Sequence, residues 1–158
     1  MQMSQHGLSL LEQWEGFKLQ VYRDSAGLPT IGVGHLLTRS ELTSGKIVIG
    51  GVPVKYSGGL TQQQVNDLLA QDVQPAAQAV NGGVKVALNQ NQFDALTSFT
   101  FNVGINAFKG STLLRLLNQS QYDQVPAQLL RWTRAGGQVV PGLLNRRQNE
   151  IKLWNGQL

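Results

Sequence analysis

The stretch from Glu15 to His35 reads EGFKLQVYRDSAGLPTIGVGH, and the fold and the chemistry of the chain are best inferred from it. It contains the carboxylates of Glu15 and Asp24, the hydroxyl of Thr30 and the imidazole of His35 on a short glycine-rich segment. Its pattern predicts a β-hairpin beside a helix end. Glycoside hydrolysis requires one carboxyl group that acts as an acid and a second that acts as a base or nucleophile. The stretch therefore indicates hydrolytic side chains positioned by a helix end and a hairpin.

The two carboxylates are expected in different surroundings. Leu8 and Leu11 belong to an apolar face that predicts a helix ending at Glu15, and Gly16 supplies the C-terminal stop. The negative end of a helix disfavours ionised Glu15 and raises its pKa, as a general acid requires. Asp24 is expected at a strand end beside a turn, where water keeps it ionised. Glu15 and Asp24 are thus the candidate acid and base.

This block resembles the phage-type lysozymes, glycoside hydrolase family 24, whose catalytic pattern is Glu, eight residues, Asp, five residues, Thr. Here these positions are Glu15, Asp24 and Thr30, without insertion or deletion. Three further motifs fit the family in order: HLLT at 35–38, QDV at 71–73 and FNVG at 101–104. The resemblance covers nearly the whole chain, which is identified as a member of this family.

The resemblance implies a muramidase that cleaves the β-1,4 bond between N-acetylmuramic acid and N-acetylglucosamine in bacterial peptidoglycan. It implies that Glu15 protonates the leaving oxygen while Asp24, with Thr30, activates a water on the opposite face of the sugar. The anomeric configuration would then be inverted. No cofactor is implied, and no His/Cys spacing or acidic cluster supports a metal site.

The resemblance also implies supporting roles. It places Asp72 near His35, where each would stabilise the charged form of the other, and it brings Arg146, rather than Arg147, towards Glu15. By their residue types, Phe101 and Trp132 are candidates to stack on sugar rings and the Asn102 amide is a candidate to bond an acetamido group. Core packing is the competing role for both aromatic residues. The candidate substrate-binding or supporting residues are His35, Leu36, Phe101, Asn102, Trp132 and Arg146.

Several of these residues have simpler interpretations. Glu12, one helical turn before Glu15, is its rival as the acid. Asp24 is also suited to capping backbone amides in a turn, and Thr30 alone is an ordinary strand residue. Most other carboxylates are expected to be solvated surface charges: Glu41, Asp67, Asp94 and Asp123.

Composition, with 41% hydrophobic residues, predicts a compact protein of one domain, residues 1–158, and patterning predicts an α+β fold. A net charge of +4 favours anionic wall or membrane polymers as partners, and the absence of long Lys/Arg runs disfavours specific nucleic-acid binding. The lack of cysteine fits a reducing cytoplasm, and Met1–Gly7 shows no signal peptide or anchor. Together with these observations, the family resemblance implies a monomer stored in the host cytoplasm and released through a holin pore to the periplasm or cell wall.

Periodicity predicts a small β-hairpin lobe over about 1–60, a connecting helix over about 61–80 and a helical lobe over about 81–158. The family resemblance implies the same lysozyme-like plan. Ser4 is the expected N-cap of the first helix, residues 46–57 should form two strands, and Pro75 should kink or end the connecting helix. The helices predicted for the last lobe are 90–103, 111–118, 122–134 and 146–154.

Other functions stay open at the level of sequence. A wall-binding module that lost turnover would keep the fold, and a basic membrane-disrupting protein would kill through charge and an amphipathic helix. A virion-associated or effector muramidase would have the same catalytic residues as a lysis enzyme. Hydrolysis of exposed cell walls separates the enzyme from the first two alternatives.

Overall fold

A computed structural model describes all residues from Met1 to Leu158 and divides them into two compact units. The first unit is Leu8–Asp72, and the second combines Met1–Gly7 with Val73–Leu158. The division falls at Val73, inside the stretch predicted as one connecting helix.

The first unit contains most of the initial helix, three short antiparallel strands, a two-stranded hairpin and two further helices. Its elements are α1 (Gln5–Glu15, which begins in the second unit), β1 (Lys18–Arg23), β2 (Pro29–Gly32), β3 (His35–Leu36), α2 (Arg39–Ser44), β4 (Lys46–Ile49), β5 (Val52–Lys55) and α3 (Gln62–Asp72). The sheet order β1-β2-β3 follows the chain, so this sheet is a simple meander.

Helix α1 begins and ends as its sequence predicts. The Ser4 hydroxyl accepts a hydrogen bond from the Gly7 amide at 2.9 Å, which satisfies one free N–H of the first turn. At the other end Gly16 has φ +73°, and its amide donates to the Glu12 carbonyl at 2.8 Å. A left-handed residue directly after Glu15 ends the helix there.

The two strands predicted over 46–57 are confirmed, and one helix of this unit was not predicted. Strands β4 and β5 are joined by Gly50 and Gly51, which both have positive φ. Helix α3 buries Val65, Leu68 and Leu69 at helical spacing. Helix α2 was not predicted, although Thr38 and Glu41 form the capping box that marks its start.

The predicted connecting helix over 61–80 is two helices. Helix α3 ends at Asp72, and the next helix, α4, covers Gln74–Gly83. Pro75 lies in the first turn of α4, where its missing N–H needs no partner. Because Pro75 cannot donate within a continuous helix, the chain begins a new one.

The second unit is built mainly of helices. Beyond α4, its elements are α5 (Gln90–Val103), α6 (Ile105–Lys109), α7 (Thr112–Asn118), a 3-10 turn (Tyr122–Gln124), α8 (Val125–Leu129), β6 (Arg134–Ala135), β7 (Gln138–Val139) and α9 (Pro141–Trp154). Its core includes Phe93, Leu96 and Phe99, which α5 presents on one face. The predicted 90–103 helix is confirmed, together with its Asn89–Gln92 capping box.

Two predictions for the second unit are wrong. The segment 122–134 is not one helix: a 3-10 turn and α8 end by Leu129, and the chain then enters the β6–β7 hairpin. The Val140 amide donates to the Thr133 carbonyl at 2.8 Å, which extends the pairing of that hairpin around the Gly136-Gly137 turn. Helix α9 starts at Pro141 instead of residue 146, since proline is well tolerated in a first turn.

Candidate active site

Glu15 lies at the last residue of α1, where it is exposed to solvent. Its Oε2 is 3.9 Å from the point that a Cβ on Gly34 would occupy, so the carboxyl lies beside the turn between β2 and β3. Gly34 has φ +65°, a conformation that favours glycine. The helix end and the hairpin turn thus place a carboxyl group against glycine backbone.

Asp24 follows β1, and its two oxygens have different surroundings. Oδ1 accepts hydrogen bonds from the amides of Ala26 at 2.9 Å and Leu28 at 2.8 Å. Oδ2 accepts no hydrogen bond from the protein, and the side chain is partly exposed. The turn-capping interpretation therefore describes one oxygen, while the other is available to a water.

Thr30 is buried in β2, opposite Tyr22 of β1 and Leu36 of β3. Its hydroxyl donates to the Leu28 carbonyl at 2.9 Å, so it can receive a water only as an acceptor. Leu28 donates to Asp24 through its amide and accepts from Thr30 through its carbonyl. This one residue fixes both candidate groups of the hairpin.

His35 lies between two carboxylates of the first unit. Its Nδ1 is 2.7 Å from Asp72 Oδ2, and its Nε2 is 2.9 Å from Glu41 Oε1. A neutral imidazole has only one N–H, so two carboxylate contacts require the protonated ring. The hydrogen bond with Asp72 is the largest cause that raises the His35 pKa to about 9, and the contact with Glu41 adds to it.

Loss of the Asp72 carboxylate is expected to make the stability of the fold depend less on pH on the alkaline side. The His35 contribution is complete below its unfolded pKa of 6.5 and is lost as pH rises through about 9. We expect wild type to lose on the order of 1–3 kcal/mol of unfolding free energy over this range, and Asp72→Asn to lose less. Urea unfolding at about pH 6 and about pH 10 measures the difference. Parallel losses in the two proteins would contradict the pairing.

The acidic side of this cluster depends on Glu41. Partial burial raises the pKa of Glu41, but the Thr38 backbone and His35 outweigh that effect and lower the pKa below 4.5. Stability from Glu41 is therefore present above pH 4.5 and is lost as pH falls through its folded pKa. Glu41→Gln serves as the companion variant, since it should flatten the acidic side of the curve.

The supporting candidates of the second unit surround a buried ion cluster. Trp132 meets the Phe99 ring edge-on at 5.4 Å, and Phe101 is partly exposed near the end of α5. Exposed Asn102 accepts a hydrogen bond from Arg147. Arg146 donates to the Ser98 carbonyl at 3.2 Å and pairs with Glu150 at 3.3 Å. Leu36, in the first unit, is exposed beside Thr30.

Sequence reasoning missed Glu150, which is fully buried and pairs with both Arg146 and Arg147. Burial raises the Glu150 pKa, and the two guanidinium groups and Ser98 oppose that shift. The spacing of three and four residues along α9 was the available signal, because such residues share one helix face. The cluster holds the end of α5 against α9.

Two carboxylates expected on the surface have structural roles instead. Glu41 caps α2 and contacts His35. Asp94 is fully buried, and it accepts hydrogen bonds from the Ser4 amide at 3.0 Å and from the Ser4 hydroxyl. A Cβ on Gly7 would lie 2.7 Å from Asp94 Oδ2, so α1 approaches α5 more closely than a larger residue allows. Long-range contacts of this kind leave no local sequence pattern.

The structure brings together no group of three or more His, Cys, Asp or Glu side chains that could hold a metal ion. It also contains no helix long and apolar enough to span a membrane.

The mixed helix and strand fold, with the carboxyl pair on a helix end and a hairpin, is that of a lysozyme-like enzyme. The phage lysozyme family model matches residues 12–150. The endolysin of Salmonella phage P22 is 41% identical over 98% of this chain and 98% of its own length. A solved structure of a P22 lysozyme mutant superimposes with a TM-score of 0.82 at 39% identity, covering 98% of this chain and 99% of that one.

The chain belongs to the phage lysozyme family. It is a muramidase, a phage peptidoglycan hydrolase that acts in host lysis. The endolysin of Bacillus phage PZA is 39% identical over 98% of this chain, and the match spans 55% of that longer protein.

Proposed function

We propose that Glu15 is the general acid and that Asp24, with Thr30, positions and activates the attacking water. The proposed bond is the β-1,4 linkage between N-acetylmuramic acid and N-acetylglucosamine, cleaved with inversion. Glu15 gives its proton to the leaving oxygen, and the Asp24 carboxylate removes a proton from the water as its oxygen attacks the anomeric carbon.

The asymmetry of Asp24 is the observation that carries this proposal. Two backbone amides hold Oδ1, and Oδ2 is left without a protein donor in a partly exposed position. A general base needs such a fixed oxygen with free lone pairs. The buried Thr30 hydroxyl, whose proton is committed to Leu28, offers a second acceptor for the same water.

Charge supports anionic wall or membrane polymers as further partners. The second unit has eight Lys and Arg residues and three carboxylates, of which Asp94 and Glu150 are buried. Its surface therefore presents six exposed cations against the single carboxylate of Asp123. Such a surface attracts polyanions, with a strength that falls as salt is added.

The biological setting extends the same proposal. The enzyme would be stored in the host cytoplasm as a monomer and reach the wall after a holin opens the membrane. Lysis of cells that express the enzyme, compared with and without a co-expressed holin, tests the release step.

Digestion of purified peptidoglycan tests the cleaved bond directly. Borohydride reduction of the products labels each new reducing end, and mass spectrometry identifies the reduced sugar. We expect reduced N-acetylmuramic acid. Reduced N-acetylglucosamine would place the cleavage at the other glycosidic bond, and no product at all would favour a wall-binding module. If heat-inactivated protein still kills bacterial cells, a membrane-disrupting protein is favoured.

A further inference from the structure

A buried guanidinium organises the side chains at the end of α5. Arg147 is fully buried, and its Nε lies 2.6 Å from Glu150 Oε1. Its Nη2 donates to Asn102 Oδ1 at 2.9 Å, and its Nη1 donates to the Trp132 carbonyl at 3.4 Å. The same group lies 5.1 Å from the centre of the Phe99 ring. One cation thus connects α5, α9 and the loop that follows α8.

These contacts decide which way the Asn102 amide faces. A guanidinium has donors and no acceptor, so only the amide oxygen can face Arg147. The Asn102 side chain is exposed, and its Nδ2 makes no hydrogen bond within the protein. The solvent side of Asn102 therefore offers two N–H donors.

Glu150 in turn holds Arg147 in place. Its carboxylate contacts both guanidinium groups of α9 and accepts a hydrogen bond from the Ser98 hydroxyl at 2.6 Å. All of these atoms belong to the second unit and are buried with it. Since Arg147 is inaccessible to a ligand, its effect on binding must pass through Asn102 and Trp132.

We propose that Arg147, held by Glu150, is a positioning residue that fixes the Asn102 amide as a hydrogen-bond donor to the acetamido carbonyl of an N-acetylated sugar. The inference rests on the proposed function, and it names the chemical group that this position selects. A sugar hydroxyl both donates and accepts, so a fixed donor does not select for it. The ammonium of a de-N-acetylated sugar only donates, and it would face the Asn102 donors without a bond.

The experiment compares kcat/KM on one peptidoglycan preparation before and after chemical de-N-acetylation. We expect wild type to prefer the N-acetylated polymer. Asn102→Asp keeps an oxygen towards Arg147 and turns the exposed half from donor to acceptor. The preference should then fall by about tenfold or more, chiefly through KM, because the acetamido carbonyl loses about one hydrogen bond and faces a second acceptor instead of a donor.

Asn106→Asp is the matched control, because it adds the same charge at an exposed position of α6. It should leave the preference unchanged. An equal fall in Asn106→Asp would assign the effect to charge alone and overturn the inference. An unchanged preference in Asn102→Asp would overturn it as well.

Arg147→Lys tests the positioning step. Lysine keeps the charge beside Glu150 but cannot reach Asn102 and the Trp132 carbonyl together. The preference of Arg147→Lys for the N-acetylated polymer should fall. The double variant Arg147→Lys/Asn102→Asp should lose less of this preference, in free-energy terms, than the two single variants lose in sum. Additive losses, or no change in Arg147→Lys, would contradict the role of Arg147.

The activity of wild type distinguishes failure of the proposed function from failure of this inference alone. If it does not hydrolyse the N-acetylated polymer at all, the proposed function fails and the inference fails with it. If it hydrolyses that polymer and the variants keep its preference, only the inference fails. If thermal unfolding shows that Arg147→Lys is not folded, the surface substitution Asn102→Asp decides the outcome.

Discussion

Glu15→Gln should fold normally and lose about 10²–10⁴-fold in hydrolysis of peptidoglycan, the contribution of a positioned general acid. The amide keeps the shape of the side chain beside Gly34 but cannot supply a proton to the leaving oxygen. Release of reducing sugar from purified walls measures the rate, and thermal unfolding confirms the fold. More than about a tenth of wild-type turnover would remove Glu15 as the acid.

Glu12→Gln is the necessary control, because Glu12 lies one helical turn before Glu15 and its own pKa is shifted. Partial burial raises the pKa of Glu12, although its hydrogen bond with Gln62 at 3.0 Å opposes that shift. Perturbed carboxylates are frequent in active sites. An amide at position 12 still accepts from Gln62, so this variant should remain active. A large loss in Glu12→Gln and none in Glu15→Gln would exchange the two assignments.

Asp24→Asn should reduce hydrolysis by a similar factor of about 10²–10⁴ while wall binding persists. The amide oxygen can still accept from Ala26 and Leu28, so the turn should be preserved. The Oδ2 position becomes an NH₂ group, which cannot take a proton from water. Sedimentation with purified walls measures binding, and product release measures turnover.

Asp67→Asn makes the same chemical change on α3, where Asp67 accepts a hydrogen bond from Gln63 at 2.9 Å. It should leave turnover unchanged. If Asp24→Asn binds walls and keeps wild-type turnover, Asp24 is a turn residue alone. A loss of both binding and fold in Asp24→Asn would show that the amide does not preserve the turn, and Asp24→Ser would then replace it as the test.

Local sequence signals predicted the elements that carry the proposed acid and base. Ser4 and Gly16 set the ends of α1, and the glycine-rich hairpin follows in the expected place. Helix capping and turn formation depend on neighbouring residues, so a sequence pattern contains most of what decides them. The helix break at Val73 was expected near Pro75 for the same reason.

Contacts between distant residues were harder to predict. Asp94 looks like a surface charge in sequence, yet it is buried against Ser4, 90 positions away. The Arg147–Asn102 contact joins residues 45 positions apart, and nothing near either residue indicates it. Such pairs depend on tertiary packing, which periodicity does not specify. The hairpin after α8 was missed because its strands are only two residues long.

The anomer formed first tests the proposed roles of Asp24 and Thr30 in inverting hydrolysis. If Asp24 and Thr30 hold a water on the far face of the sugar, attack on a β-linked wall fragment must give the α-anomer. Proton NMR during early turnover, before mutarotation, reports which anomer appears. We expect the α-anomer to accumulate first. An initial β-anomer would mean retention through a covalent or substrate-assisted intermediate, and it would contradict the role of Asp24 as the base that activates water.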